Sequence, residues 1–206
     1  MSDAYVPVFV KVDNLKLIVF GGGPVALRKC RYFEKAAITV MAREVMPELR
    51  KIADKVIIGD IPEDVRDIID SYDMVIAATD DKALNSRIRD DAMFMGMEVN
   101  SAHGGGNILI PSVLKRDKYT VAVSSQGRVP AFPPYVVEEL DSFLGERFDR
   151  MLDLMIEMRR MGLERIPDQK RRRELLQSVI NDPNIQKAVA ENRMGDAKEL
   201  AIKKGY

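Results

Sequence analysis

The chain has one cysteine and one histidine among its 206 residues, and its 32 basic residues are matched by 32 acidic ones. Each shortage excludes something. A lone Cys30 permits neither an internal disulfide nor a cysteine metal cluster, which agrees with a reducing compartment and points to a buried thiol on a helix. Zero net charge means that no global field gathers nucleic acid or a membrane surface, so an anionic ligand has to be met by a local cluster of cations. No apolar run reaches the length of a transmembrane helix, and the opening MSDAYVPVFVKVDN lacks the basic start and apolar core of a secretory signal. The expectation is a cytoplasmic protein with neither nucleic acid nor membrane among its partners. The length suits one domain plus an appendage, or two small domains. The methionines, 12 in all, fall in helical stretches and read as soft core filling.

What is present is concentrated in LKLIVFGGGPVALRKC. An apolar run that ends in glycines and flows into a helical pattern reads as strand, tight turn and helix start, with Gly21, Gly23 and Ala26 in the G-x-G-x-x-A places. Gly21 takes the unusual backbone angles of the turn, Gly23 lets a pyrophosphate approach the main chain, and Ala26 lets the helix sit close to the strand. The unpaired amides of such a helix start favour anions. Gly21, Gly22, Gly23, Pro24, Val25 and Ala26 are therefore the candidate dinucleotide cradle.

Strands and helices then alternate. Residues 5–11 read as a short valine-rich strand turning at Asp13 and Asn14. Residues 27–35 read as a helix, 38–41 and 56–58 as strands, and Pro62 as the first turn of a helix reaching Ile69. Residues 74–78 form a buried strand, a helix passes through Leu84, Ile88 and Met93, and 98–102 form a fifth strand. This order predicts an α/β, Rossmann-like parallel sheet with helices on both faces. Ligands of such sheets lie beyond the carboxyl ends of the strands, so the loops at 21–23, 79–81 and 101–106 should converge. The end of the second strand offers Arg43 and Glu44: a carboxylate suits a ribose hydroxyl, an arginine a 2′-phosphate, and two solvated charges opening a helix fit equally. Thr79, Asp80 and Asp81 border the site, and the aspartates also suit a helix cap. His103 ends the fifth strand, ahead of three glycines.

From Ile108 the pattern changes. Residues 108–114 and 119–124 suggest a hairpin appended to the sheet, with Lys115, Arg116 and Lys118 in its charged turn. A polar loop with Ser125 and Arg128 follows, then prolines and a helix over 136–144. Leu144, Phe148, Met151, Met155 and Met158 recur at four-three spacing, a stripe to be covered by another helix or another subunit. A helix over 169–180, a third capped by Asp182 with Pro183, and a fourth opened by Asp196 and Glu199 complete a small all-α segment. The Lys170–Arg173 run, residues 170–173, reads as a solvated face. The expected organisation is 1–112 for the nucleotide domain, 113–145 for a dimerisation segment, and 146–206 for the helical domain.

Several stretches together resemble one family. VPVFVKV, GGGPVALRK, ITVMARE, AATDD with Asn85 after it, VNSAHGG, and ILIPS through YTVAVSSQGRVP look like the precorrin-2 dehydrogenases, a family that includes the dehydrogenase and ferrochelatase half of siroheme synthase. The resemblance implies oxidation of precorrin-2 to sirohydrochlorin with NAD, in some members followed by iron insertion, and a homodimer enclosing the tetrapyrrole. The chain is too short for the methyltransferase domain of the longest members. The resemblance also implies substrate contact at Ser125, for which a turn-capping hydroxyl is the plain alternative, and an aspartate is common where this chain has His103. Imidazole still accepts a proton near neutral pH and binds divalent metals, whereas a structural histidine would only order the glycine loop. Arg128 is the first candidate for the substrate's carboxylates, with the 115–118 turn behind it. A nucleotide-sensing regulatory module is the rival reading; it needs the same glycine loop and no proton acceptor.

Overall fold

The computed structural model describes residues 5–206, which fall into two compact units. In the first, which takes the described residues up to Pro111 with Ser124–Val129, five parallel strands lie in the order β3-β2-β1-β4-β5. These are β1 (Lys16–Phe20), β2 (Ala37–Ala42), β3 (Lys55–Ile58), β4 (Met74–Ala77) and β5 (Glu98–Ser101). The connecting helices are α1 (Pro24–Tyr32), α2 (Pro47–Arg50), α3 (Arg66–Ile69) and α4 (Lys82–Phe94).

Strand alternation divides the core between the two faces of the sheet. Leu17 and Val19 of β1 point with Ile38, Val40 and Ile76 toward Ala26, Leu27 and Cys30 of α1. Ile18 and Phe20 point the other way, with Val75 and Val99, toward Ile69, Ile88 and Ala92. A strand covered on both faces has no polar side to show, which is why β1 reads as an unbroken apolar run. Leu17, Ile18, Val19 and Phe20 are all fully buried, each contributing about 1.5–3 kcal/mol. Burial also pushes the Cys30 thiol up to about 12, as expected of a structural cysteine.

Two expectations fail here. Residues 5–11 form no strand, because the edges of the sheet are β3 and β5 and neither pairs with them; Val6, Val8, Phe9 and Val10 are exposed. Pro62 opens no helix either. The Asp64 carboxylate accepts the backbone N–H of Arg66 at 3.0 Å, and the Val65 N–H goes to Asp91 at 3.2 Å, so α3 starts only beyond Val65.

In the second unit, β6 (Ser112–Lys115) and β7 (Thr120–Val123) pair antiparallel as a sheet of their own and do not extend the parallel sheet. Four helices follow: α5 (Phe132–Arg165), α6 (Gln169–Ile180), α7 (Pro183–Ala190) and α8 (Met194–Ile202). Leu154, Met158 and Met161 of α5 pack on Val179, Ile185, Val189 and Ala201. The anticipated stripe is buried only in its second half. Gly145 leaves helical geometry at φ 53°, ψ −170°, so the face changes phase there and Phe143 and Phe148 stay exposed beneath the Arg147 guanidinium. Asp182 caps α7 as expected, accepting from the N–H groups of Asn184 and Ile185. Asp196 does not cap α8, whose N-cap is Arg193; it lies in the first turn and pairs with that arginine.

Candidate functional site

The strand order reverses at β1, whose neighbours β2 and β4 lead away on either side; in parallel sheets this is where a crevice opens for a ligand. The glycine turn leaves the end of β1 and is held from both neighbours. A Cβ on Gly21, at φ +123°, would lie 2.3 Å from the Ala78 carbonyl oxygen, and one on Gly22 would lie 1.8 Å from that of Glu44. Gly22 O also accepts the Met46 N–H at 3.0 Å. Neither position has room for a side chain. Gly23 differs: a Cβ there would meet nothing within 4 Å. That open space adjoins the start of α1, where no side chain caps the amides and no acid stands in the first turn.

These features fit a dinucleotide pyrophosphate. Pro24 occupies the first helical position, where its missing N–H costs nothing, and the Val25 and Ala26 amides are left for an anion. Ala26 is fully buried against the sheet, which draws α1 close to β1.

At the end of β2, Arg43 is ion-paired with Asp60, which follows β3, and Asp80 adds a weaker attraction. Both carboxylates favour the charged guanidinium, with the Asp60 hydrogen bond the larger influence. Glu44 is exposed beside it.

Thr79, Asp80 and Asp81 follow β4. Asp81 is the N-cap of α4, accepting from Ala83 N at 2.8 Å and Leu84 N at 3.0 Å, and these bonds, Leu84's first, hold its carboxyl below the usual range. Asp80 is exposed at the loop tip. Thr79 turns inward to Asn85, a fully buried amide of α4. Asn85 Oδ1 accepts from Thr79 N at 3.0 Å and from Thr79 Oγ1 at 2.8 Å. Its Nδ2 donates to Thr79 O at 2.8 Å and lies 2.8 Å from His103 Nδ1. Thus the loop after β4 and the loop after β5 are joined through one side chain.

His103 itself is exposed, its backbone N–H 3.4 Å from Ser101 Oγ. The glycines behind it permit the turn: Gly104 and Gly105 have φ +83° and +81°, and a Cβ on Gly106 would lie 2.3 Å from Val99 O. The sequence did not single out Asn85 for chemistry. Its local sequence, KALNSR, gave no sign that an amide three residues into α4 would reach both Thr79 and His103.

Ser125 and Arg128 lie in a separate tight turn. Ser125 Oγ donates to Val129 O at 3.0 Å and accepts Val129 N at 3.2 Å, the capping role, while Arg128 N donates to Ser125 O at 3.1 Å and its side chain is exposed. In the second unit Arg116 pairs with Asp141 at 2.5 Å and Lys118 pairs with Asp153. Those two cations are already engaged.

The family model described as "Putative NAD(P)-binding" matches residues 8–112, the stretch that builds the sheet, the glycine turn and the His103 loop. The chain is 24% identical to a precorrin-2 dehydrogenase of Methanosarcina barkeri, the match covering 100% of this chain and 93% of that protein. It is 28% identical to a siroheme synthase of Methylococcus capsulatus, over 96% of this chain but 43% of the relative, so it spans less than half of that longer protein. Among solved structures, one titled SirC, precorrin-2 dehydrogenase, superposes with a TM-score of 0.75 at 24% identity, covering 97% of this chain and 100% of the other; the likeness bears out the α/β, Rossmann-like fold with its all-α C-terminal helices. With its glycine turn seated at the switch point of a five-stranded parallel sheet, and the matched residues forming just over half of its length, the chain belongs to the putative NAD(P)-binding family.

Proposed function

We propose that the protein oxidises precorrin-2 to sirohydrochlorin, passing a hydride to NAD and releasing a proton. The observation that carries this reading is the junction of two loops: the uncapped, acid-free glycine turn lies against the Thr79 loop, and Asn85 ties that loop to an exposed imidazole. The match to the Methanosarcina precorrin-2 dehydrogenase over nearly the whole of both chains supports the same substrate.

NAD, when bound, supplies the hydride acceptor. The protein's part is placement. The Val25 and Ala26 amides would hold the pyrophosphate at the N-terminal start of α1, beside the loop that follows β4. Arg43 is neutralised by Asp60, with Asp80 nearby, and two carboxylates around that point disfavour a 2′-phosphate; this supports NAD over NADP. His103 faces the reacting pair of tetrapyrrole and nicotinamide, Arg128 attracts the acidic side chains of the substrate, and Ser125 orders the turn that carries Arg128.

Iron insertion, the second activity implied by the resemblance, would use the same substrate pocket. No group of three or more His, Cys, Asp and Glu side chains is placed to hold an ion among the described residues. The homodimer remains part of the proposal, supported by the exposed apolar side chains of residues 6–10 and, in the second unit, by Phe143 and Phe148. No described helix is long and apolar enough to cross a membrane.

Anaerobic incubation with precorrin-2 and NAD tests the reading. Appearance of NADH together with the sirohydrochlorin spectrum is expected. NAD binding without turnover would instead favour the nucleotide-sensing module.

A further inference from the structure

The Asn85 amide has only one workable orientation. Its oxygen faces two donors of Thr79, the backbone N–H and the hydroxyl, and its nitrogen faces the Thr79 carbonyl. Turning the amide over would set NH2 against N–H and oxygen against oxygen in a fully buried position, losing at least two hydrogen bonds. One hydrogen of Nδ2 goes to Thr79 O. The other points at His103 Nδ1, 2.8 Å away, and Nδ1 must present a lone pair to receive it. A neutral imidazole whose Nδ1 accepts carries its proton on Nε2.

We propose that Asn85 is a positioning residue that locks His103 in its Nε2–H tautomer, so that the ring offers the ligand a hydrogen-bond donor and not a proton acceptor. The nitrogen able to take a proton is turned inward against an amide N–H, and the outward nitrogen is already protonated. His103 therefore grips an acceptor oxygen, either a carboxylate of the tetrapyrrole or the carboxamide of the nicotinamide, and the proton released on oxidation leaves by another route, to water. The assignment of a ligand to this donor rests on the dehydrogenase reading above; the tautomer does not.

The chain's single histidine makes the tautomer directly measurable. In a long-range proton–nitrogen correlation spectrum of the uniformly labelled full chain, at mildly alkaline pH, one imidazole pattern is expected, with pyrrole-like Nε2 and pyridine-like Nδ1. Asn85→Asp puts a carboxylate acceptor opposite Nδ1 and should move the proton onto Nδ1, while Asn85→Ala should give the averaged spectrum of an unconstrained ring. A wild-type spectrum with the proton on Nδ1, or identical spectra for wild type and Asn85→Ala with the far-ultraviolet spectrum unchanged, would overturn the proposal.

The ligand arm compares His103→Gln, whose side-chain NH2 can replace the Nε2–H donor, with His103→Asp, which offers only acceptors. Gln should retain about tenfold or more of the kcat/KM that Asp loses, the usual worth of a hydrogen bond to a charged group. A rise confined to the KM of the tetrapyrrole identifies the substrate carboxylate, and one confined to the KM of NAD identifies the carboxamide. Asp surpassing Gln would restore His103 as the proton acceptor. Absence of turnover in the wild type would refute the dehydrogenase reading and leave the spectroscopic result standing.

Discussion

The carbonyl oxygen of Glu44 stands where a side chain on Gly22 would have to be, 1.8 Å from the Cβ position. Its neighbour Gly23 has open space around its own Cβ position and an extended backbone, φ −94°, ψ −169°, that any residue adopts. Two adjacent glycines should therefore fail in opposite ways. Gly22→Ala is expected to destabilise the fold by about 1–3 kcal/mol, because backbone must move to admit the methyl group. Gly23→Val should unfold at the wild-type denaturant midpoint and lose NAD affinity by about tenfold or more, since its side chain fills the cradle. Denaturant titration and NAD titration of both variants check this; unchanged affinity in Gly23→Val would remove the pyrophosphate from this turn.

Asp60 is the natural lever on cofactor choice. Its removal frees the Arg43 guanidinium, whose charge it now occupies. Asp60→Ala should improve NADP binding relative to NAD by several-fold, and Arg43→Ala should not; side-by-side titrations with the two cofactors decide it. A preference for NADP in the wild type would show that the ion pair opens on binding.

Lys29 makes the stability of the fold depend on pH at the alkaline end. Its ammonium is pushed down to about 8, mainly by burial and secondarily by the charge of Arg28, and it donates to Asn100 Oδ1. Between about 8 and 10.5 the unfolded chain keeps this proton while the folded chain has lost it, so stability rises with pH across that window. Below about 8 both states are protonated and the cost of burying the charge is present in full. Wild type measured against Lys29→Met by urea unfolding should gain stability on going from the lower to the upper end of this window. A flat difference would mean that the amine is solvated like any surface lysine.

Buried in the last turn of α1, the Cys30 thiol should resist alkylation in the native state and react stoichiometrically in denaturant. Mass spectrometry after brief treatment with iodoacetamide reads both outcomes.

The parallel sheet was legible because its strands are covered on both faces, and full burial writes itself into sequence as runs such as Leu17 to Phe20. The valines of residues 5–11 carry the same local signal without the ladder that a strand needs, and no local pattern reports a missing partner. Asp64 and Asp91 delayed the start of α3 through bonds whose partners lie up to 26 residues apart, beyond the reach of a proline rule. At the site, Gly21, Gly23 and Ala26 stand out in the sequence through their G-x-G-x-x-A spacing. The carbonyls that leave Gly21 and Gly22 no room for a side chain, those of Ala78 and Glu44, arrive from beyond other strands and left no local sign. Nor did Asn85, whose importance comes from an 18-residue separation to His103 that only folding closes.

That the cradle at Gly23 and the imidazole at His103 serve one oxidation is what we propose. It is tested most directly by anaerobic turnover of precorrin-2 with NAD, following NADH and sirohydrochlorin together in the wild type and in Gly23→Val. Equimolar formation of both products by the wild type, with loss of both in a folded Gly23→Val protein, is the predicted result. Saturable NAD binding by the wild type with neither product formed from precorrin-2 would contradict it.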